Sequence, residues 1–146
     1  MKAIKDIMST NCITATTKDN VYELAVLMKE NDVGFIPIVE GKKLIGLVTD
    51  RDLVTRGYAD KHSGSTAVNK VMTTDLITID SGTTAQEAAD LMASNQIRRL
   101  PVVENGELLG IVALGDLAVR DVFVDEAGQA LSSISEQEHR ESSTFH

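Results

Sequence analysis

With a single cysteine, Cys12, the chain can form no internal disulfide and no cysteine-rich metal site. Its neighbours Asn11 and Ile13 mark a strand start, so Cys12 reads as a small packed residue. Tryptophan is absent and aromatic residues make up only 3% of the sequence. No run of about 18 apolar residues occurs, which excludes a membrane-spanning helix. The amino terminus, MKAIKDIMST, alternates charged and apolar residues and lacks the continuous apolar stretch of a secretory signal. A cytoplasmic location is therefore expected. Basic residues are also scarce: 14 Lys and Arg stand against 22 Asp and Glu, for a net charge of -8. Non-specific nucleic-acid binding needs a surplus of cations facing phosphates, so it is not expected. Much of the acidity is local, however. Residues 125–146 carry Asp125, Glu126, Glu136, Glu138 and Glu141 against Arg140 alone. They read as a polar acidic tail, and the body retains room for one basic pocket.

Catalytic signatures are missing as well. There is no Gly-x-x-x-x-Gly-Lys phosphate loop, no Gly-x-Gly-x-x-Gly, no Gly-x-Ser-x-Gly elbow and no His-Glu-x-x-His. His62 falls in a polar linker, and His139 and His146 in the tail, which are poor places for a general base. An enzyme is the least supported class.

What the sequence does have is a repeat. Residues 4–56 align with 68–120 without a gap at a constant offset of 64, as in Pro37 and Pro101. Met8/Met72, Ile13/Ile77, Thr14/Thr78, Glu23/Glu87, Met28/Met92, Asn31/Asn95, Val48/Val112 and Leu53/Leu117 are identical pairs. A repeat of this length is two copies of one supersecondary unit, expected to face each other about a pseudo-twofold axis and share a core. The apolar content of 42% is enough for one. The expected divisions are 1–60, 61–124 and the tail at 125–146.

Each copy opens with a short amphipathic piece, Ile4 to Met8 and Val68 to Met72, then a short strand at 12–15 and 76–79. A helix follows. Asp19 or Asn20 is the expected N-cap of the first, with Val21, Leu24, Ala25, Leu27 and Met28 as its apolar stripe. Thr84 and Glu87 suit a capping box in the second, with Ala85, Ala88, Ala89, Leu91 and Met92 as the stripe. Both stripes suit packing against a sheet. Two strands come next, joined at Glu40-Gly41-Lys42-Lys43 and Glu104-Asn105-Gly106-Glu107, where Asn-Gly is a strong hairpin signal. Pro37 and Pro101 cannot donate to a ladder, which predicts an edge or a bulge. It also predicts that 33–36 and 97–100 run beside something other than a strand. A last helix is expected over 50–56 and 116–124, with Gly57 as the stop of the first and 57–66 as a surface linker.

Two groups of residues suggest chemistry. Thr49-x-x-Asp52 at a helix start reads as a capping box, with acids suiting the helix dipole. The same geometry lets a carboxylate at the end of a strand accept two ribose hydroxyls while helix-start amides meet a phosphate. The second copy keeps the acid, as Asp116, but has Ala113 in place of the threonine. Capping alone does not require that acid, which favours ligand contact by Asp52. The second group, Arg98-Arg99, lies just before Pro101, where the first copy has Gly34-Phe35. Adjacent strand residues point to opposite faces, so at most one of the two is expected to line a given pocket. Arginine presents a planar fork of donors to phosphate.

These residues, GFIPIVEGKKLIGLVTDRDL with its echo IRRLPVVENGELLGIVALGDL, together with Met8, Ile13-Thr14, Met72 and Ile77-Thr78, resemble the cystathionine-β-synthase (CBS) domain family. The tandem pair looks like a Bateman module covering roughly residues 1–124. The resemblance implies an α+β fold of two β-α-β-β-α units packed sheet to sheet, with two related clefts and adenine nucleotides as frequent ligands. Carried onto this chain, one cleft combines Thr49, Arg51 and Asp52 with Asp75, Ile77, Ile97, Arg98 and Arg99. Ile77 and Ile97 would border the base, Asp52 hold the ribose and an arginine face phosphate. The other cleft combines Asn11, Ile13, Val33, Gly34 and Phe35 with Ala113 and Asp116. It lacks the hydroxyl and the cation, so one occupied cleft is expected. AMP, ADP or ATP is the implied ligand, with NAD or S-adenosylmethionine as further candidates. The implied assembly is a homodimer that passes ligand binding to a regulated protein. The competing reading is an interaction or dimerisation module whose helices are the working surface.

Overall fold

The computed structural model describes residues 3–118; the expected tail and the end of the last helix lie outside them. The chain is a mixed α+β protein. Its contacts divide it into two compact units, and the division does not follow the repeat. One unit gathers residues 11–76 with 105–108. The other gathers residues 3–10, 77–104 and 109–118.

The unit built on 11–76 contains α1 (Val21–Asn31), β1 (Phe35–Glu40), β2 (Lys43–Thr49) and the helical turn α2 (Asp50–Asp52). Asn20 caps α1 with a complete capping box: its side chain accepts from the Glu23 amide, and the Glu23 carboxylate accepts from the Asn20 amide. β1 and β2 form an antiparallel hairpin with Phe35 opposite Thr49 and Ile36 opposite Val48. Gly41 takes a φ of +61° in its turn. Residues 105–108 join this unit through Leu44 N–H to Gly106 O at 3.0 Å and Leu108 N–H to Lys42 O at 2.9 Å. Leu24, Met28, Ile36, Ile38, Val48, Val68 and Val71 are buried together as its core, with Val21, Leu27 and Met72 against it.

The other unit contains α3 (Ala85–Asn95), β3 (Arg99–Glu104), β4 (Glu107–Ala113) and α4 (Leu114–Ala118). Thr84 caps α3 by accepting from the Glu87 amide at 3.1 Å. β3 and β4 are hydrogen-bonded neighbours. At their turn Asn105 and Gly106 take φ of +53° and +80°, as the Asn-Gly pair predicts. Its core is separate: Ile4, Ile7, Ile79, Ala85, Ala88, Ala89, Met92, Leu100, Val102, Val112, Leu114 and Leu117. Among the described residues, most buried apolar side chains fall into these two clusters.

The opening segment of each copy explains the division. Residues 4–6 form a 3₁₀ turn whose preceding Ala3 bridges to Thr84, the cap of α3. Farther along, Ser9 and Ile111 exchange both backbone bonds, at 2.8 and 2.9 Å. The equivalent opening, with its 3₁₀ turn at Val68–Lys70, does the same in the other unit. Ala67 bridges to Asn20, and Leu47 and Thr73 exchange bonds of 2.9 and 2.8 Å. Each opening therefore completes the unit of the following or preceding copy, and Ile4 and Val68 are fully buried there. The same docking accounts for two glycines at equivalent positions. A Cβ built on Gly110 would lie 2.6 Å from the Ser9 carbonyl oxygen and 3.0 Å from Met8 Sδ. One on Gly46 would lie 2.7 Å from Met72 Sδ. Glycine is required because the backbone and a methionine cross directly above it.

Several expectations change. The strands at 12–15 and 76–79 reduce to single parallel bridges, Ala15 to Ile38 and Ile79 to Val102. Residues 35 and 36 are paired strand residues, so proline at 37 does not free the backbone before it. Pro37 sits within β1, its carbonyl accepting from the Ala15 amide at 3.1 Å, and the bulge falls just after it, between Ile38 and Val39. Ala25 is exposed, outside the buried stripe of α1. The helix expected over 50–56 is α2 followed by a π-helical turn, Leu53–Tyr58, and Gly57 is buried inside that turn instead of ending it. The last helix begins at Leu114, before Asp116. The linker docks on the start of α1, with Tyr22 N–H to Gly64 O and Val21 N–H to Thr66 O, both 2.9 Å.

Candidate functional site

The end of β2 turns into α2 through four residues that close on themselves. Thr49 is extended, with φ of -107° and ψ of 164°, so its side chain faces the first helical turn. The Asp52 amide donates to Thr49 Oγ1 at 3.1 Å, and the Thr49 amide donates to Asp52 Oδ2 at 2.9 Å. Both side chains are half-buried. This reciprocal pair fixes the Asp52 carboxylate at the strand end. A carboxylate has about four acceptor positions, so one bond from Thr49 leaves Asp52 able to accept from ligand hydroxyls.

The remaining amides of the turn are also satisfied. The Asp50 amide donates to the Gly34 carbonyl at 3.0 Å, and the Arg51 amide donates to Asp50 Oδ1 at 2.8 Å. The helix-start amides expected to meet a phosphate are therefore used internally. The Asp50 side chain was not anticipated as part of the site. A Cβ on Gly34 would sit 2.8 Å from Asp50 Oδ2, so the carboxylate stands over the glycine backbone. The signal was present in the repeat, where Gly34 and Asp50 correspond to Arg98 and Leu114.

The equivalent turn in the other unit is built differently. The Ala113 amide donates to Asp116 Oδ2 at 3.3 Å, but alanine offers no hydroxyl to the Asp116 amide. The Leu114 amide donates to the Arg98 carbonyl at 2.8 Å, as Asp50 does to Gly34. Leu114 is buried, whereas Asp50 is exposed. Arg98 lies just before β3 and Arg99 begins it, both exposed.

Of the residues expected to form the first cleft, Thr49, Arg51, Asp52 and Asp75 belong to the unit of 11–76. Arg51 and Asp75 are exposed. Ile77, Ile97, Arg98 and Arg99 belong to the other unit, with Ile77 and Ile97 half-buried against its core. Of the second set, Asn11, Ile13, Val33, Gly34 and Phe35 fall in the first of these units, Ala113 and Asp116 in the second. Within a unit, the structure joins Phe35 to Thr49 as strand partners, Gly34 to Asp50, and Arg98 to Leu114.

Two repeats, each pairing an acid-bearing strand-to-helix turn with a proline-bearing strand, define a tandem module. The family model described as CBS domain matches residues 4–58 and again 68–121, and the chain belongs to the CBS domain family. It is 46% identical over 148 residues to YlbB of Bacillus subtilis, covering all of both chains. It is 44% identical to the CBS domain-containing protein YhcV of the same organism, over 94% of this chain and 98% of that one. Among solved structures, the CBS domain pair of protein MJ0100, in complex with 5′-methylthioadenosine and S-adenosyl-L-methionine, superposes with a TM-score of 0.71 at 27% identity. That match covers 81% of this chain and 94% of the other.

Proposed function

We propose that this chain is a stand-alone, non-enzymatic regulatory module that binds an adenosine-containing nucleotide of the AMP, ADP or ATP type. The observation that carries this reading is the reciprocal Thr49–Asp52 pair, which holds a carboxylate ready to accept ribose hydroxyls. Asp52 takes the ribose, Thr49 orients it, and Arg51 and Asp75 are further contacts. In the other unit, Ile77 and Ile97 offer apolar surface and Arg98 and Arg99 offer donors suited to phosphate. The adenosyl ligands named for MJ0100 support the adenosine part of the proposal. Titrating the purified protein with AMP, ADP, ATP, NAD and S-adenosylmethionine should raise the melting temperature with at least one of them. No shift and no calorimetric heat with any would overturn the reading. Arg99→Ala should weaken AMP more than adenosine, and equal loss for both would remove the phosphate role.

A second reading, an interaction or dimerisation module, draws on exposed apolar side chains. Tyr22, Val54 and Tyr58 are exposed by 65%, 61% and 84%, and Val54 and Tyr58 both lie on the π-helical turn. Light scattering of wild type and Tyr58→Ser decides whether this surface holds two copies together.

A further inference from the structure

The sequence holds five methionines: Met1, Met8, Met28, Met72 and Met92. Met28 and Met92, equivalent in the repeat, are 7% and 0% exposed inside the two cores. Met8 and Met72, also equivalent, are only half-buried and lie on the opening segments. In one unit a Cβ on Gly46 would lie 2.7 Å from Met72 Sδ and 3.1 Å from its Cγ. In the other unit a Cβ on Gly110 would lie 3.0 Å from Met8 Sδ and 3.2 Å from its Cγ. Each thioether thus fills the place of a strand side chain and packs against the core beside it. The residue after each methionine makes the paired backbone bonds that hold the opening to its strand, Ser9 with Ile111 and Thr73 with Leu47.

We propose that Met8 and Met72 form a reversible oxidation switch, in which sulfoxide formation loosens the opening segment that each one holds. A thioether is apolar, flexible and polarizable, which suits an irregular gap against backbone. Hydrogen peroxide converts it in one step. The O–O bond breaks, one oxygen bonds to the sulfur, the sulfur is oxidised by two electrons, and the other oxygen leaves as water. The product is polar and chiral. At Gly46 and Gly110 the sulfur stands too close for even one added carbon, so the new oxygen has no room on the strand side. Turned elsewhere, it leaves a polar S–O group on a side chain packed against the core, which favours hydration over docking. Met28 and Met92 are shielded by burial, whereas Met8 and Met72 are within reach of a dissolved oxidant. Because both openings carry the same residue, one oxidant acts on both units alike. Methionine sulfoxide reductases, one for each sulfoxide epimer, return the thioether and make the change reversible.

The test treats the purified chain with hydrogen peroxide and follows each methionine by peptide mass spectrometry, together with the melting temperature and the hydrogen exchange of the Ser9 and Thr73 amides. Met8 and Met72 should oxidise well before Met28 and Met92. Once both are oxidised, the melting temperature should fall by on the order of 5 °C. The Ser9 and Thr73 amides should lose protection, because their bonds to Ile111 and Leu47 open locally. Reduction by both sulfoxide reductases should restore the original melt. Met8→Leu and Met72→Leu keep the apolar volume and remove the sulfur. The first should spare only the Ser9 amide and the second only the Thr73 amide. Cys12 is present in all these proteins and cannot produce that split. Oxidation of Met28 and Met92 as fast as Met8 and Met72 would overturn the proposal. So would an oxidised protein that melts and exchanges like the untreated one, or protection lost equally in the leucine variants.

Discussion

The turn at 49–52 and the turn at 113–116 descend from the same repeat and share a backbone, yet only the first is closed by its own side chains. Thr49 and Asp52 bond each other's amides, whereas Ala113 and Asp116 share a single bond, from the Ala113 amide to Asp116 Oδ2 at 3.3 Å. Before the proline strand the contrast runs the other way, with Gly34-Phe35 in one unit and Arg98-Arg99 in the other. Chemistry has been divided between the copies: one holds a rigid pair of hydrogen-bond acceptors, the other holds the cations. A repeat that kept both in each copy would have two equivalent sites. This one has two unlike turns.

The largest effect is expected at the glycines under the opening segments. Gly110→Ala should cost about 2 to 3 kcal/mol, since its nearest obstacle is a backbone oxygen held by a hydrogen-bonded pair. Gly46→Ala should cost less, because its nearest obstacle is the movable Met72 Sδ at 2.7 Å while the Thr73 carbonyl oxygen lies at 3.2 Å. Urea denaturation measures both, and equal costs would mean that the openings are not docked as described.

A smaller effect sharpens the contrast between the turns. Thr49→Ala should lower stability by about 1 kcal/mol through the lost cap. Ala113→Thr should return part of that amount to the other turn, since the Asp116 amide gains an acceptor. A thermal melt of each single variant and of the double exchange would show it. If the double exchange simply sums to the loss at 49, the second turn cannot adopt the closed form.

The smallest effect lies at Cys12, where the other copy has Leu76. Burial pushes the Cys12 thiol above its ordinary value of 9.0. Its neutral form is favoured by the fold, so the contribution is complete below about pH 9.0 and fades as pH climbs through the higher folded value. Iodoacetamide should react more slowly at pH 8 with the native chain than with the urea-unfolded chain. Equal rates would show that Cys12 is not sheltered.

Much of this was readable beforehand because it is local. The offset of 64, the Asn20 and Thr84 caps, and the Asn105-Gly106 turn depend on residues close together in sequence. The paired exchange of openings was not, since nothing in Ile4 or Val68 says which unit buries it. Gly46 and Gly110 were the available sign: two glycines inside strands, at matching positions, mark a chain passing overhead. Asp50 escaped for a related reason. Its placement depends on a contact with Gly34, sixteen positions away, and only the joint change to Arg98 and Leu114 in the other copy points to it. The π-helical turn after Asp52 was also hidden, because Leu53 to Arg56 has ordinary helical composition and Gly57 reads as a stop.

The central claim is that the Asp52 carboxylate receives the ribose of an adenosine ligand. Calorimetric titration of adenosine into the wild-type protein and into Asp52→Ala tests it most directly. The account predicts saturable binding to the wild type and a loss of more than tenfold in the variant, since hydrogen bonds to a charged group contribute about 1.5 to 3 kcal/mol. Wild-type binding that is unchanged in a folded Asp52→Ala protein would contradict it.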